Sequence, residues 1–156
     1  MTIISENIID TLLDSYADEK NYFSDLKTMA VEQPDLVAFI DQENYTLLTN
    51  EEQALMEYLT TVIYFSAKSV LGKNLIVRGI ELEKAEEANW NIFNEAATKN
   101  FSKILDIFFE NYRQEDLLAM VEDSIQQDDE NFVTVVGREI IFVACKSIID
   151  TVDGCN

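Results

Sequence analysis

The stretch Phe132–Ile149, FVTVVGREIIFVACKSII, decides the fold of this chain. It is apolar on almost every side, and only Arg138, Glu139 and Lys146 interrupt it with charge. A helix that is apolar all round belongs in a core or an interface, because a surface helix keeps one polar face. The pattern therefore predicts a buried final helix over roughly Asp129 to Asp150.

A second segment of the same character runs from Asn50 to about Leu71. Thr49 and Glu52 have the spacing of a capping box, in which each side chain accepts a hydrogen bond from the backbone N–H of the other residue. Gly72 can supply the positive φ that often follows a helix C-terminus. We predict that this helix and the final helix are the most buried helices of the domain.

The rest of the chain repeats apolar residues at intervals of three and four, which is the spacing of amphipathic helices. Four glycines and one proline provide few turns, so an all-β fold is nearly excluded. Pro34 stands where a first-turn proline belongs in a helix. The expected fold is all-α, with one compact domain over residues 1–156 that contains six to eight helices.

The two halves of the chain resemble each other, which raises the hypothesis of an internal duplication. Residues 33–40 (QPDLVAFI) match residues 114–121 (QEDLLAMV) at four of eight positions, and residues 63–71 resemble residues 141–149 at a slightly different offset. Chance similarity stays open as the alternative, because amphipathic helices of similar period always look partly alike. A true duplication predicts two pseudo-symmetric four-helix halves. The halves would be residues 1–78 and 79–156.

The charge of the chain limits its partners. Thirty acidic and eleven basic residues give a net charge of −19. Phosphate backbones and anionic lipids are repelled within about 8 Å at physiological salt, so we expect no nucleic-acid binding and no membrane binding. The longest stretch without a charged residue, Tyr58–Ala67, is far shorter than the roughly 20 residues of a membrane span. The first ten residues lack the basic start of a signal peptide, so we expect a cytoplasmic location.

Residue types that support catalysis are few in this sequence. The absence of histidine excludes Ser-His-Asp and Cys-His catalysis and histidine-ligated zinc. Glu83, Glu86 and Glu87 have helical spacing, so at least two share a face, where an Mg²⁺ or Mn²⁺ ion would offset their repulsion. A metal-dependent hydrolase is therefore one alternative function, against the simpler interpretation of a solvated acidic face. We otherwise expect no catalytic residue, no resident metal and no cofactor.

Five residues are candidates for an interaction surface. Trp90, Ile107 and Phe109 lie off the main apolar faces of their helices, so they are either sandwiched between helices or face a partner. Arg138 and Glu139 interrupt the most apolar helix and predict an ion pair in the core or an interface, with a clamp for a ligand carboxylate as the alternative.

These observations favour a binding module over an enzyme. The leading hypothesis is a non-catalytic, acidic, cytoplasmic protein that binds a basic protein, or a second copy of itself as a homodimer, through an apolar helical patch with an acidic rim. A further alternative is a DNA mimic or another inhibitor of a basic protein; a mimic requires acids along one elongated face. Asn89, which shares an apolar face with Phe93, is expected to be a hydrogen-bonded polar group of the core.

Overall fold

A computed structural model describes residues 2–42, 45–72, 75–126 and 132–155 of the chain. Within these ranges the chain forms eight α-helices and no strand, which confirms the all-α prediction. The helices are α1 (Glu6–Ser15), α2 (Glu19–Glu32), α3 (Pro34–Ile40), α4 (Asn50–Leu71), α5 (Gly79–Glu95), α6 (Phe101–Phe109), α7 (Glu115–Ser124) and α8 (Val135–Gly154). Pro34 is the first residue of α3, as its fixed φ favours.

Helices α4 and α8 form the centre of the domain. They pack against each other, and α5 and α7 pack against α8 while α1 and α2 pack against α4. Every residue from Ile140 to Ile149 is buried, as is every residue from Leu59 to Tyr64. The predicted burial of both helices is therefore confirmed.

The predicted start of the last helix is wrong by about six residues. Helix α8 begins at Val135, and Thr134 is its N-cap, with the Thr134 Oγ1 atom accepting the N–H of Gly137 at 2.9 Å. The preceding segment 127–131, which includes the predicted start at Asp129, lies outside the described residues. Apolar periodicity alone did not show that Thr134 has extended backbone and that the helix begins only after it.

One carboxylate caps both central helices. The capping box at Thr49 and Glu52 is confirmed, with Glu52 Oε1 accepting the Thr49 N–H at 2.9 Å. The other oxygen, Oε2, accepts both the N–H and the hydroxyl of Thr134, at 2.8 and 2.9 Å. A Cβ atom added at Gly137 would lie 1.7 Å from this oxygen, so only glycine leaves room for the carboxylate.

Two glutamines at the starts of α3 and α7 hold the extended segments that precede α5 and α1. Gln114 accepts the N–H of Ile4 at 2.9 Å and donates to the carbonyl of Thr2 at 3.0 Å. Gln33 donates to the carbonyl of Leu75 at 2.6 Å and accepts the N–H two residues later at 2.9 Å. Each buried amide side chain thus acts as a peptide group that pairs with one short extended segment.

An aspartate two residues after each glutamine binds the first residue of the helix that follows the extended segment. Asp116 accepts the N–H of Glu6, the first residue of α1, at 3.0 Å, and Asp35 accepts the N–H of Gly79, the first residue of α5, at 2.9 Å. A helix N-terminus leaves N–H groups without an intrahelical partner, so an acceptor from elsewhere stabilises it. The same Gln-x-Asp sequence therefore makes the same pair of contacts at two places, each time to an extended segment and to the first residue of the helix that follows it. The internal duplication itself stays a prediction.

The surface of the domain is that of a compact body. Its accessible area is 8701 Å², close to the roughly 8,000 Å² that the scaling with mass gives for a folded monomer of this size. Among the helices described, none combines the length and the apolar character needed to cross a lipid bilayer.

Candidate functional site

A groove lined by apolar and acidic side chains opens between α5, α8 and the segment before α4. It encloses about 450 Å³. Its lining residues are Tyr45, Leu47, Glu86, Trp90, Val136, Glu139 and Ile140. Residues from three separate parts of the chain therefore meet in one concave surface.

The apolar members of the groove include side chains that the fold leaves in water. Leu47 is 73% exposed and Val136 is 51% exposed. Trp90 is half-buried and packs edge-to-face on Phe93, with ring centroids 5.5 Å apart, so one part of the indole faces the groove while the ring stays anchored. Exposed apolar residues that cluster around a concave surface mark binding sites more often than isolated ones do.

The electrostatics of the groove come from two glutamates. Tyr45 is buried and its hydroxyl donates to the carboxylate of Glu86, which fixes this side chain in the groove wall. Burial raises the pKa of Glu86, the hydrogen bond from Tyr45 opposes the rise, and the charge of Glu83 adds to it. Among the residues that the structure describes, no lysine or arginine lines the groove, so the charge that they present is negative.

The structure brings two of the five predicted interaction residues into this groove. Trp90 and Glu139 line it, whereas Ile107 and Phe109 lie on α6 and do not. Ile107 is 42% exposed, and Phe109 packs partly buried against the core. Contact of either side chain with a partner stays a prediction.

Arg138 does not form the predicted ion pair within the described part of the chain. Its guanidinium carbon lies 4.2 Å from the centroid of the Phe101 ring, a cation–π contact, and its Nε atom is buried without a hydrogen-bond partner among the described residues. Successive helical residues point about 100° apart, so Arg138 and Glu139 face different neighbours. The ion pair in the core was therefore the wrong expectation, because a planar guanidinium stacks readily on an aromatic ring; the ion pair in an interface stays a prediction.

The three glutamates considered for a metal do not act together. Glu86 is bound by Tyr45, while Glu83 and Glu87 are exposed. Across the described ranges, no group of three or more acidic or cysteine side chains is arranged to hold a metal ion.

A buried polar network lies between α5 and α8. Lys146, only 7% exposed, donates to Asp150 at 2.8 Å and to Asn89 at 3.1 Å, and its ammonium lies 4.5 Å from the ring centroid of Tyr112. Asn89 donates to Ser147 at 3.0 Å, and the Tyr112 hydroxyl donates to Asp150 at 2.6 Å. The predicted role of Asn89 as a paired polar group of the core is confirmed. Each of these side chains has a hydrogen-bond partner within the network, which fixes the position of α5 against α8.

A cavity of about 590 Å³ lies beside this network, between the start of α5 and the end of α8. Arg78, Lys84, Glu81 and Asp150 line it, so its charges are mixed. Lys84 and Glu81 form an exposed pair at 3.9 Å, and Asp150 is already neutralised by Lys146. This mixed lining does not select one class of ligand.

Comparison of the chain with protein-family models, with curated proteins and with solved structures found no match.

Proposed function

We propose that the protein is a non-catalytic binding module whose α5/α8 groove receives a segment of a partner protein. The segment carries an apolar side chain and, next to it, a lysine or arginine. The apolar side chain packs against Leu47, Val136 and Trp90, and the cation approaches Glu86 and Glu139.

One observation carries this proposal: exposed apolar side chains and two acids line the same groove, and no base does so within the described ranges. Burying exposed apolar area stabilises a complex by roughly 25 cal/mol per Å² before the costs of association are subtracted. The net charge of −19 also accelerates the approach of a basic partner at low salt.

The charge of the chain disfavours one of the two other binding hypotheses, and its compact shape disfavours the other. A second copy would bring its own −19 toward an acidic groove, so a homodimer through this surface is disfavoured by like-charge repulsion. A DNA mimic needs an elongated acidic face, and the area of 8701 Å² is that of a compact body.

Site-specific photo-crosslinking in the cells that make the protein tests the proposal. A photoreactive phenylalanine analogue replaces Leu47 in one variant and Val31, which is 83% exposed outside the groove, in the control. We expect one partner to crosslink at position 47 and not at position 31, through a segment with a basic residue beside an apolar one. Equal capture at both positions, or capture of a second copy at position 47, would contradict the proposal.

Two charge-reversal variants then distinguish the electrostatic effect of the groove from the effect of the net charge of the protein. Glu139→Lys and Glu95→Lys change the net charge equally, but only the first lies in the groove. We expect the affinity for the crosslinked partner to fall at least tenfold in Glu139→Lys, about 1.4 kcal/mol, and to change far less in Glu95→Lys. Equal losses would show that only net charge matters.

A further inference from the structure

The Glu86 carboxylate in the α5/α8 groove has one oxygen engaged and one oxygen available. The Tyr45 hydroxyl donates to Oε2 of Glu86. The other oxygen, Oε1, has no hydrogen-bond partner among the described residues and is not buried. A ligand in the groove therefore reaches this carboxylate through Oε1.

The hydroxyl that occupies Oε2 is held firmly in place. Tyr45 is only 2% exposed, its ring packs edge-to-face on Phe39 with ring centroids 5.8 Å apart, and its carbonyl accepts the side-chain N–H of Gln53 at 2.8 Å. Burial and the neighbouring Glu86 raise the pKa of Tyr45, so its hydroxyl keeps the proton that it donates. A ligand that took Oε2 would leave this buried hydroxyl without its acceptor, which is unfavourable.

The second acid of the groove comes from a different helix. Glu139 lies on α8, is half-buried, and forms no hydrogen bond or ion pair with the described residues. The strongest arginine–carboxylate contact uses two parallel N–H bonds to both oxygens of one carboxylate, and Glu86 offers only one. A lysine ammonium has three donors that point in different directions, so it can bond to one oxygen from each of two carboxylates.

We infer that the basic residue of the partner segment is a lysine, whose ammonium donates to Glu86 Oε1 and to Glu139. Tyr45 is the positioning residue that sets this preference, because it occupies Oε2. An arginine that placed its planar fork on Glu139 alone would leave Glu86 without a cation. This inference rests on the proposed function, since it requires that a basic segment enters the groove.

Two blocked dipeptides, acetyl-leucyl-lysine amide and acetyl-leucyl-arginine amide, test the preference. They share the apolar side chain and the sign and size of the charge, so the net charge of −19 attracts both equally. Trp90 is the only tryptophan of the chain and lines the groove, so its fluorescence reports binding there. We expect the lysine peptide to bind roughly three- to tenfold more tightly than the arginine peptide, which is the value of one hydrogen bond.

Tyr45→Phe tests the positioning role. It frees Oε2 of Glu86 while the ring stays on Phe39, so we expect the preference for lysine to disappear or reverse. Tyr58→Phe is the matched control, because it removes a tyrosine hydroxyl of α4 outside the groove and is expected to keep the wild-type ratio. A purely structural role of Tyr45 would weaken both peptides equally, and an unchanged ratio of affinities in Tyr45→Phe would contradict the positioning role.

Glu86→Gln gives a second test that does not depend on the folding of Tyr45→Phe. It removes the charge but keeps the shape of the side chain, and we expect it to weaken the lysine peptide more than the arginine peptide. Equal affinities of the two peptides for the wild type would overturn the choice of lysine and leave the proposed function standing. An unchanged Trp90 fluorescence with either peptide at about 10 mM, a concentration that detects millimolar binding, would contradict the proposed function and this inference with it.

Discussion

The two halves of the domain make the same contacts through Gln33 and Gln114, which we call the two corners, and different contacts at the starts of their central helices, α4 and α8. Gln33 and Gln114 hold equivalent extended segments with nearly the same geometry. Helix α4, in contrast, carries its own capping glutamate, while α8 has Gly137 at the corresponding third position and uses Glu52 of α4 instead. The glutamine contact is therefore made twice, once by each half. The contact of Glu52 with Thr134 is made once, and it joins the two central helices.

The largest expected effect is on the shared cap. Gly137→Ala places a methyl group 1.7 Å from Glu52 Oε2, so the buried carboxylate must leave Thr134 or the helices must separate. We expect a loss of about 3 kcal/mol or more in the free energy of unfolding, combining overpacking with lost hydrogen bonds. Gly154→Ala is the control, because a Cβ atom there meets nothing within 4 Å. Urea unfolding of both variants measures the difference, and equal stabilities would refute the role of Gly137.

Two lysines at matching positions of α4 and α8 provide the next comparison. Lys146 is nearly buried against Asp150 and Asn89, whereas Lys68 pairs with Glu32 near the surface. Lys146→Met leaves the Asp150 carboxylate without its cation, and we expect a loss of about 2–3 kcal/mol, reduced from the fully buried case because Asp150 is partly exposed. Lys68→Met is expected to cost less than about 1 kcal/mol. Thermal unfolding monitored by circular dichroism measures both losses. A loss in Lys68→Met equal to or larger than that in Lys146→Met would contradict this prediction.

The equivalent corners are expected to respond equally. Gln33→Ala and Gln114→Ala each leave one buried backbone N–H and one carbonyl of an extended segment without their partner. We expect a loss of about 2 kcal/mol for each variant, since a buried group without a partner costs about 1–3 kcal/mol. Chemical denaturation tests both. A twofold or larger difference between the two losses would show that the corners differ in energy despite their shared geometry.

The helical architecture could be predicted from the sequence because it depends on local signals. The capping pair Thr49 and Glu52, the position of Pro34 and the apolar character of 140–149 each act within one or two turns. The second role of Glu52 could not be predicted, because its partner Thr134 is 82 residues away and nothing local marks the pair. The predicted start of α8 was wrong for a different reason: apolar periodicity does not show that Thr134 is the N-cap of this helix.

The candidate groove was predictable only in part. Trp90 and Glu139 were singled out because they departed from helical periodicity, and both line it. Leu47 and Tyr45 were missed, since they lie between helices, where apolar periodicity carries no information about burial. Ile107 and Arg138 departed from the pattern equally but lie outside the groove, which shows that surplus apolar or charged residues identify a surface only after the fold is known.

The smallest expected effect is on stability in acid, where the Glu52 carboxyl of the shared cap and the Glu86 carboxyl of the groove have opposite pKa shifts. Burial raises the pKa of the Glu52 carboxyl, but hydrogen bonds from Thr49 and Thr134 outweigh burial and hold it below its usual value of 4.5. A lowered folded-state pKa contributes stability above the unfolded-state value, and this contribution is lost as the pH falls through the folded-state pKa. Glu86 has the opposite shift, so acid favours the folded state through that group. We therefore expect the wild type to lose more free energy of unfolding than Glu52→Gln between pH 5 and pH 3. Parallel slopes in urea titrations over that range would show that Glu52 is not the linked group.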